Sequence, residues 1–182
     1  METPPHTPSP ARGPLPRTAG ILLGLGLGGF VDGIVLHQIL QWHHMVSEVE
    51  GLGPTDLGNL RANIVADGLF HASTWILVFI GVLALAEIAR SGRPIPRISL
   101  LGWMAVGWGV FNLVEGVVNH HILQIHRVRP GAANPALYDI GFLVLGALLV
   151  FGGLAVQRLD QRPGAILEWQ SPRGNAPGEQ SE

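Results

Sequence analysis

One pattern of polar residues occurs twice in this chain, each time at the end of a long apolar stretch. Residues 32–44 read DGIVLHQILQWHH, and residues 115–127, 83 positions later, read EGVVNHHILQIHR. The second copy repeats the acid, the glycine and two histidines in register, with Ile-Leu-Gln between the histidines. Ionisable residues are expensive inside a bilayer and usually mark a function there. The duplicated acid-and-histidine pattern therefore predicts a metal site with pseudo-twofold symmetry.

The composition is typical of a polytopic membrane protein. Charged residues make up 13% of the 182 residues, whereas ordinary soluble domains contain about 25%. The chain has no cysteine, which excludes disulfides and thiolate metal sites. Its three methionines argue against a methionine-rich Cu(I) site. No basic patch indicates nucleic-acid binding.

Four apolar runs are long enough to cross a bilayer, which takes roughly 20 residues. They cover about 19–42, 63–89, 98–125 and 136–157. We therefore predict an all-α, polytopic membrane four-helix bundle over residues 19–158. It is built from a duplicated two-helix unit, and because both copies of the pattern run in the same direction, the repeat is parallel. Residues 1–18, which are rich in proline, and residues 159–182 are expected to be flexible tails.

The arginines predict the orientation of the bundle. Placing both termini in the cytoplasm puts eight of the 11 arginines inside and only Arg61, Arg127 and Arg129 outside, which follows the positive-inside rule. We expect a multi-pass protein of the bacterial inner (cytoplasmic) membrane, in contact with the lipid bilayer. The first span has small residues spaced by four, at Gly20, Gly24 and Gly28, and such spacing could serve packing within the chain or a homo-oligomer.

With this orientation, four carboxylates and seven of the eight histidines lie in the outward-facing half. The predicted metal ligands or supporting residues are Asp32, His37, Asp67, His71, Glu115, His120, His126 and Asp139. Whether His43, His44 and His121 are ligands or interfacial residues stays open, and His6 is expected to be inert.

Helical geometry separates these residues into two stripes. At about 100° per residue, Asp32 and His43 share a face, whereas His37 lies about 140° away from Asp32. His37 then reaches the centre of the bundle only if that centre lies between the two stripes. Otherwise it faces a neighbouring helix, a partner subunit or the interface.

Three segments resemble the bacterial membrane-protein family catalogued as domain of unknown function 2243. They are GGFVDGIVLHQILQWHHM (28–45), ADGLFHA (66–72) and EGVVNHHILQIHRVR (115–129). The resemblance covers about residues 18–158 and implies a four-span membrane protein. It supplies no catalytic residue to transfer, and it suggests only a loose association with cytochrome oxidase assembly proteins.

The residues favour an integral membrane metalloprotein whose His/carboxylate site opens toward the extracytoplasmic face. Imidazole and carboxylate donors without sulfur suit Zn, Fe, Mn or Cu(II). A zinc site would activate water for hydrolysis, and a di-iron site would oxidise a lipid-soluble substrate. One alternative is a non-enzymatic carrier or assembly factor that delivers copper or another ion to a respiratory complex. Further alternatives are a haem b protein with His37 and His120 as axial ligands, and a proton or ion relay.

Overall fold

The computed structural model describes residues 16–160, and these residues form four helices. They are α1 (Pro16–Val31), α2 (Leu57–Arg90), α3 (Arg97–Glu115) and α4 (Pro135–Asp160). Helices α1 and α3 continue directly into π-helical segments, π1 (Asp32–Ile39) and π2 (Gly116–Ile122). No strand occurs among the described residues, and all four helices are long and apolar enough to cross a membrane. The expected flexibility of 1–18 and 159–182 concerns residues that lie mostly outside the described range.

The ends of the spans differ from the expected ones for identifiable reasons. The first and third spans end at Ile39 and Ile122, rather than at about 42 and 125, because the next residues leave helical geometry. The second begins at Leu57 rather than at about 63. Its start is fixed by Asp56, whose side chain accepts hydrogen bonds from the backbone N–H groups of Gly58 and Asn59 at 2.8 and 3.0 Å, an arrangement that stabilises a helix N-terminus.

Helices α1 and α3 form the centre of the bundle, and α2 and α4 flank them. Glycines let the two central backbones approach closely: a Cβ atom at Gly24 would overlap the carbonyl oxygen of Met104, and one at Gly107 would overlap that of Ile21. Such close approach is the usual role of small residues in membrane helices. The glycine spacing of the first span is therefore used for contacts within the chain.

Both π-helical segments end in the same way. The N–H group of Leu40 donates to the carbonyl of Val35 at 2.8 Å, and that of Leu123 donates to the carbonyl of Val118 at 2.7 Å, so each bond reaches back five residues. Gln41 and Gln124 then adopt left-handed backbone conformations, with φ of 49° and 51°. The chain continues from both residues into loops that meet each other over the end of the bundle.

Candidate metal centre

Segment π1 brings His37 to Asp32 at the centre of the bundle. The Nε2 atom of His37 lies 3.2 Å from Oδ2 of Asp32, and both side chains are buried. In a π-helix, a residue lies over the one five positions before it, because the backbone bonds follow that spacing. The 140° separation expected for an α-helix is therefore wrong for this pair. His37 reaches the centre of the bundle on the same side of the helix as Asp32.

Segment π2 repeats this arrangement in the second half of the chain. The Nε2 atom of His120 lies 3.1 Å from Oε1 of Glu115. The same carboxylate oxygen lies 2.8 Å from Nε2 of His126. Glu115 thus contacts two histidines, one from its own π-helical segment and one from the following loop.

The two loop histidines, His43 and His126, are held by reciprocal bonds between the loops. The Nδ1 atom of His43 donates to the carbonyl of Val128 at 2.8 Å, and that of His126 donates to the carbonyl of Met45 at 2.9 Å. Because a carbonyl oxygen can only accept, both rings carry their proton on Nδ1. The rings stack with their centroids 4.5 Å apart and their planes 6° from parallel.

His43 is kept neutral by its surroundings. Burial, with repulsion from His126 and His37, lowers the pKa of His43 to about 3. With the proton on Nδ1, its Nε2 presents a lone pair, and this atom is buried without a hydrogen-bond partner among the described residues. A neutral imidazole nitrogen with a free lone pair is what a metal ion requires from histidine.

Two further carboxylates support the rings from outside. Asp67 lies 2.8 Å from Nδ1 of His37 and 2.7 Å from Nδ1 of His44. Asp139 accepts from the backbone N–H of Val128 at 3.0 Å, and its nearer oxygen lies 3.7 Å from Nδ1 of His120. A carboxylate behind the ring nitrogen that faces away from a metal fixes the orientation of a metal-binding histidine. Asp67 makes this contact with His37, whereas Nδ1 of His120 has no hydrogen-bond partner among the described residues.

The inner atoms form two overlapping sets of three potential ligands. One set is His37, His43 and His126, and the other is Glu115, His120 and His126. Within each set, one ligand atom of each residue lies within 4.8 Å of the other two. All of these side chains are at most 5% exposed, and His126 belongs to both sets. The sets therefore describe one continuous centre, which we call the histidine centre, with Asp32 beside His37.

The histidine centre lies within a segment shared with other proteins. A family model described as "Predicted membrane protein (DUF2243)" matches residues 19–160. The chain belongs to this family. Comparisons with curated proteins and with solved structures find no match. Membership identifies a membrane protein, in agreement with the four spans.

The predicted site residues do not all lie in the histidine centre. His71 donates from Nδ1 to the carbonyl of Asp67 at 2.8 Å, and its ring lies against Gly33, outside both sets of ligands. His44 contacts Asp67 and is partly exposed. His121 donates to the carbonyl of Gly116 at 2.8 Å and is exposed.

The sequence alone left it open whether His43 is a metal ligand or an interfacial residue, and the structure places it in the histidine centre. It follows the end of the first span, where a histidine beside a tryptophan is usually interfacial. The signal that identifies it is its partner, since His43 aligns with His126 at the spacing of 83 residues. The backbone carbonyls of Met45 and Val128, which orient the two loop rings, carry no signal in the side-chain sequence.

Proposed function

We propose that this chain is an integral membrane metalloprotein whose histidine centre holds a resident metal ion or pair of ions. The ligands are drawn from His37, His43, His120, His126, Asp32 and Glu115, and Asp67 and Asp139 position the rings from behind. The donor set of imidazoles and carboxylates suits Zn, Fe, Mn or Cu(II). The metal would supply Lewis-acid or redox chemistry at a buried point of the membrane domain.

One observation carries the proposal: buried polar atoms face one another without hydrogen bonds. The Nε2 atom of His43 and one oxygen of Glu115 have no hydrogen-bond partner among the described residues. The Nε2 atoms of His37 and His120 lie 3.2 and 3.1 Å from Asp32 and Glu115, but these contacts lack hydrogen-bond geometry. Leaving a buried polar group unpaired costs about 1–3 kcal/mol, and more when it is charged. Lone pairs and negative charges that converge in this way are stabilised together by a cation at their centre.

The symmetry of the contacts supports a duplicated two-helix unit with a parallel repeat. Bonds on either side of the centre join equivalent residues, as between the loops at His43 and His126 and at the ends of π1 and π2. The arginine distribution supports cytoplasmic termini, which would put the histidine centre near the extracytoplasmic face of the inner membrane.

The burial of the centre favours a resident metal over a metal in transit. A copper carrier or assembly factor for a respiratory complex needs a shallow site from which the ion exchanges, whereas these ligands are at most 5% exposed. A haem bound between His37 and His120 is disfavoured by the space available. His43 and His126 already occupy the centre, with ring centroids 4.4 and 5.0 Å from those of His37 and His120 respectively.

Elemental analysis tests the proposal directly. The full-length chain, purified from membranes without added metal, should contain zinc, iron, manganese or copper in a fixed ratio to protein. A double variant, His37→Ala with His120→Ala, should lose that metal, whereas His121→Ala should keep it. A well-folded wild-type protein that contains no stoichiometric metal contradicts the proposal.

A proton relay is the second candidate, and one specific chain of contacts favours it. Asp32, His37, Asp67 and His44 follow one another at 3.2, 2.8 and 2.7 Å, from the centre of the bundle to a partly exposed histidine. Alternating acids and histidines relay protons in membrane proteins. Proton flux into liposomes that contain the protein, abolished by Asp67→Asn in a metal-free preparation, would select this function instead.

A further inference from the structure

A cavity adjoins the histidine centre on the side of α1 and α4. Its volume is about 460 Å³, within the range of small-molecule sites. Asp32 forms part of its wall, together with Asn112 of α3. The remaining wall is almost entirely apolar and includes Trp108 and Phe142. Asp32 therefore stands between the cavity and the histidine centre.

The cavity lies between two helices, α1 and α4, and the loop residues Trp42 and Val128 also line it. In residues 16–160, α3 packs extensively against both α1 and α4, whereas α1 and α4 make almost no contact with each other. Residues at the edge of the cavity are open to the surroundings, with Val31, Leu137 and Leu145 being 42%, 65% and 47% exposed. All three lie within membrane spans. The surroundings they face are therefore lipid, and a molecule that enters here comes from the bilayer.

On the opposite side of the bundle, α2 and α3 likewise make almost no backbone contact within residues 16–160, but aromatic rings meet between them. Between α2 and α3, the rings of Phe70 and Phe111 lie 6.0 Å apart, and Phe70 also packs on His37 at 5.7 Å. Phe111 aligns with Gly28 at the spacing of 83 residues, and Gly28 lines the cavity. The ring of Phe111 therefore has no counterpart at Gly28, on the side of the cavity.

The polar atoms of the cavity wall define what the occupant must offer. The amide oxygen of Asn112 is buried and makes no hydrogen bond among the described residues, whereas Oδ2 of Asp32 lies 3.2 Å from Nε2 of His37. The amide oxygen is an acceptor, so the complementary group is a hydrogen-bond donor. The apolar walls require a hydrophobic body behind that group. A long-chain alcohol or phenol has both properties.

We propose that the cavity binds a membrane-soluble molecule with an apolar body and a hydroxyl-bearing head, which enters between α1 and α4 and places its hydroxyl group at Asn112, beside Asp32. The role of this molecule as a ligand or substrate of the metal rests on the proposed metal centre. Its binding to the cavity rests on the walls alone. The two claims can therefore fail separately.

Two photoreactive probes test the proposal on the full chain in phosphatidylcholine vesicles. One is a long-chain alkylphenol with a diazirine in its chain, and the other is the same molecule without the hydroxyl group. After illumination, peptide mapping should find the alkylphenol on α1 and α4 around Val31 and Leu145. An excess of unlabelled alkylphenol should abolish this labelling, and the probe without hydroxyl should label these residues far less.

A matched pair of variants on α4 isolates the cavity. A side chain at Gly141 would meet open space, and Gly141 lines the cavity, while Gly152 also faces open space but lies elsewhere on the same helix. Gly141→Phe should abolish labelling at Val31 and Leu145, whereas Gly152→Phe should leave it unchanged. Asn112→Leu, which keeps the approximate volume but removes the amide, should reduce alkylphenol labelling to that of the probe without hydroxyl.

Metal content measured on the same samples separates the two claims. Labelling that is equal for both probes and unaffected by Asn112→Leu would mean that the cavity holds ordinary acyl chains, and the proposal would be overturned. Labelling that survives Gly141→Phe would also overturn it. Stoichiometric metal with no labelling would support the metal centre and overturn the proposed binding in the cavity. Specific labelling without metal would support binding in the cavity and contradict the metal centre.

Discussion

The two halves of the histidine centre have the same plan but differ in the length of one acid. Within residues 16–160, Asp32 forms an ion pair with His37 only, at 3.2 Å. Glu115, one methylene longer, contacts both His120 and His126 through one oxygen, at 3.1 and 2.8 Å. The second half therefore assembles a complete set of three potential ligands, whereas the first half needs His126 from the other loop to complete its set. The symmetric pattern produces two positions that are chemically different.

A second difference lies behind the rings, where His44 aligns with Arg127. His44 contacts Asp67 at 2.7 Å, whereas Arg127 lies 3.6 Å from Asp139. Asp67 also accepts from the backbone N–H of Met45 at 2.8 Å. The contacts that Asp67 makes in the first half are therefore shorter and more numerous than those of Asp139 in the second. Since Arg cannot give up its proton, the chain of contacts that favours a relay has no equivalent in the second half.

The largest effect should come from His126, because it belongs to both sets of ligands. His126→Ala is expected to remove all bound metal, whereas His43→Ala, which affects one set, should leave part of it. Metal per folded protein, measured after membrane extraction, compares the two. His121→Ala is the control outside the centre. Equal losses in the His126 and His43 variants would show that the sets are not arranged as the contacts indicate.

The second-largest effect should be a difference in metal content between variants of the two acids, Glu115 and Asp32. Glu115→Gln removes the negative charge from a side chain that contacts two histidines, so it should reduce the metal content more than Asp32→Asn, which affects one contact. Glu115→Asp tests the role of length, because it keeps the charge but should no longer reach both rings. A metal content as low in Asp32→Asn as in Glu115→Gln would contradict the asymmetry. The same elemental analysis measures all three variants.

The supporting carboxylates should show a smaller difference. Loss of a group that orients a metal-binding histidine typically weakens metal affinity about 10–100-fold. Asp67→Asn, which disturbs contacts with His37 and His44, should lie at the upper end of this range. Asp139→Asn should lie at the lower end, since His120 is 3.7 Å away. Titration with a competing chelator gives both affinities, and a larger effect at Asp139 would reverse the ranking.

The sequence was sufficient to predict the spans and most of the residues that converge. Length and hydropathy identify four apolar helices, and the repeated pattern selects Asp32, His37, Glu115, His120 and His126, all of which lie at the centre. The π-helical segments were not predictable, because an α-helical spacing was assumed and no residue type specifies a π-helix. For the same reason, the contact of His37 with Asp32 became visible only in the structure.

Other features depend on how segments distant in the chain meet. Asp67 and His71 lie four residues apart on one face of α2, yet only Asp67 contacts a ring of the centre. His71 lies instead against Gly33, where Leu143 lies against Gly116 in the second half. The cavity is likewise invisible in sequence, since it arises where α1 and α4 fail to pack.

The smallest expected effect concerns a feature that the two halves share fully. Gln41 and Gln124 have nearly equal left-handed φ angles of 49° and 51°, and both direct the following loop over the centre. For residues with a Cβ atom this conformation costs roughly 1–2 kcal/mol, and glycine avoids the cost. At each position, the Gly variant should therefore be more stable than the Ala variant by about 1 kcal/mol. Thermal unfolding in detergent measures the two differences, and because the backbone is the same in both halves they should be equal. A difference present at Gln41 but absent at Gln124 would show that the asymmetry of the acids extends to the turns that position His43 and His126.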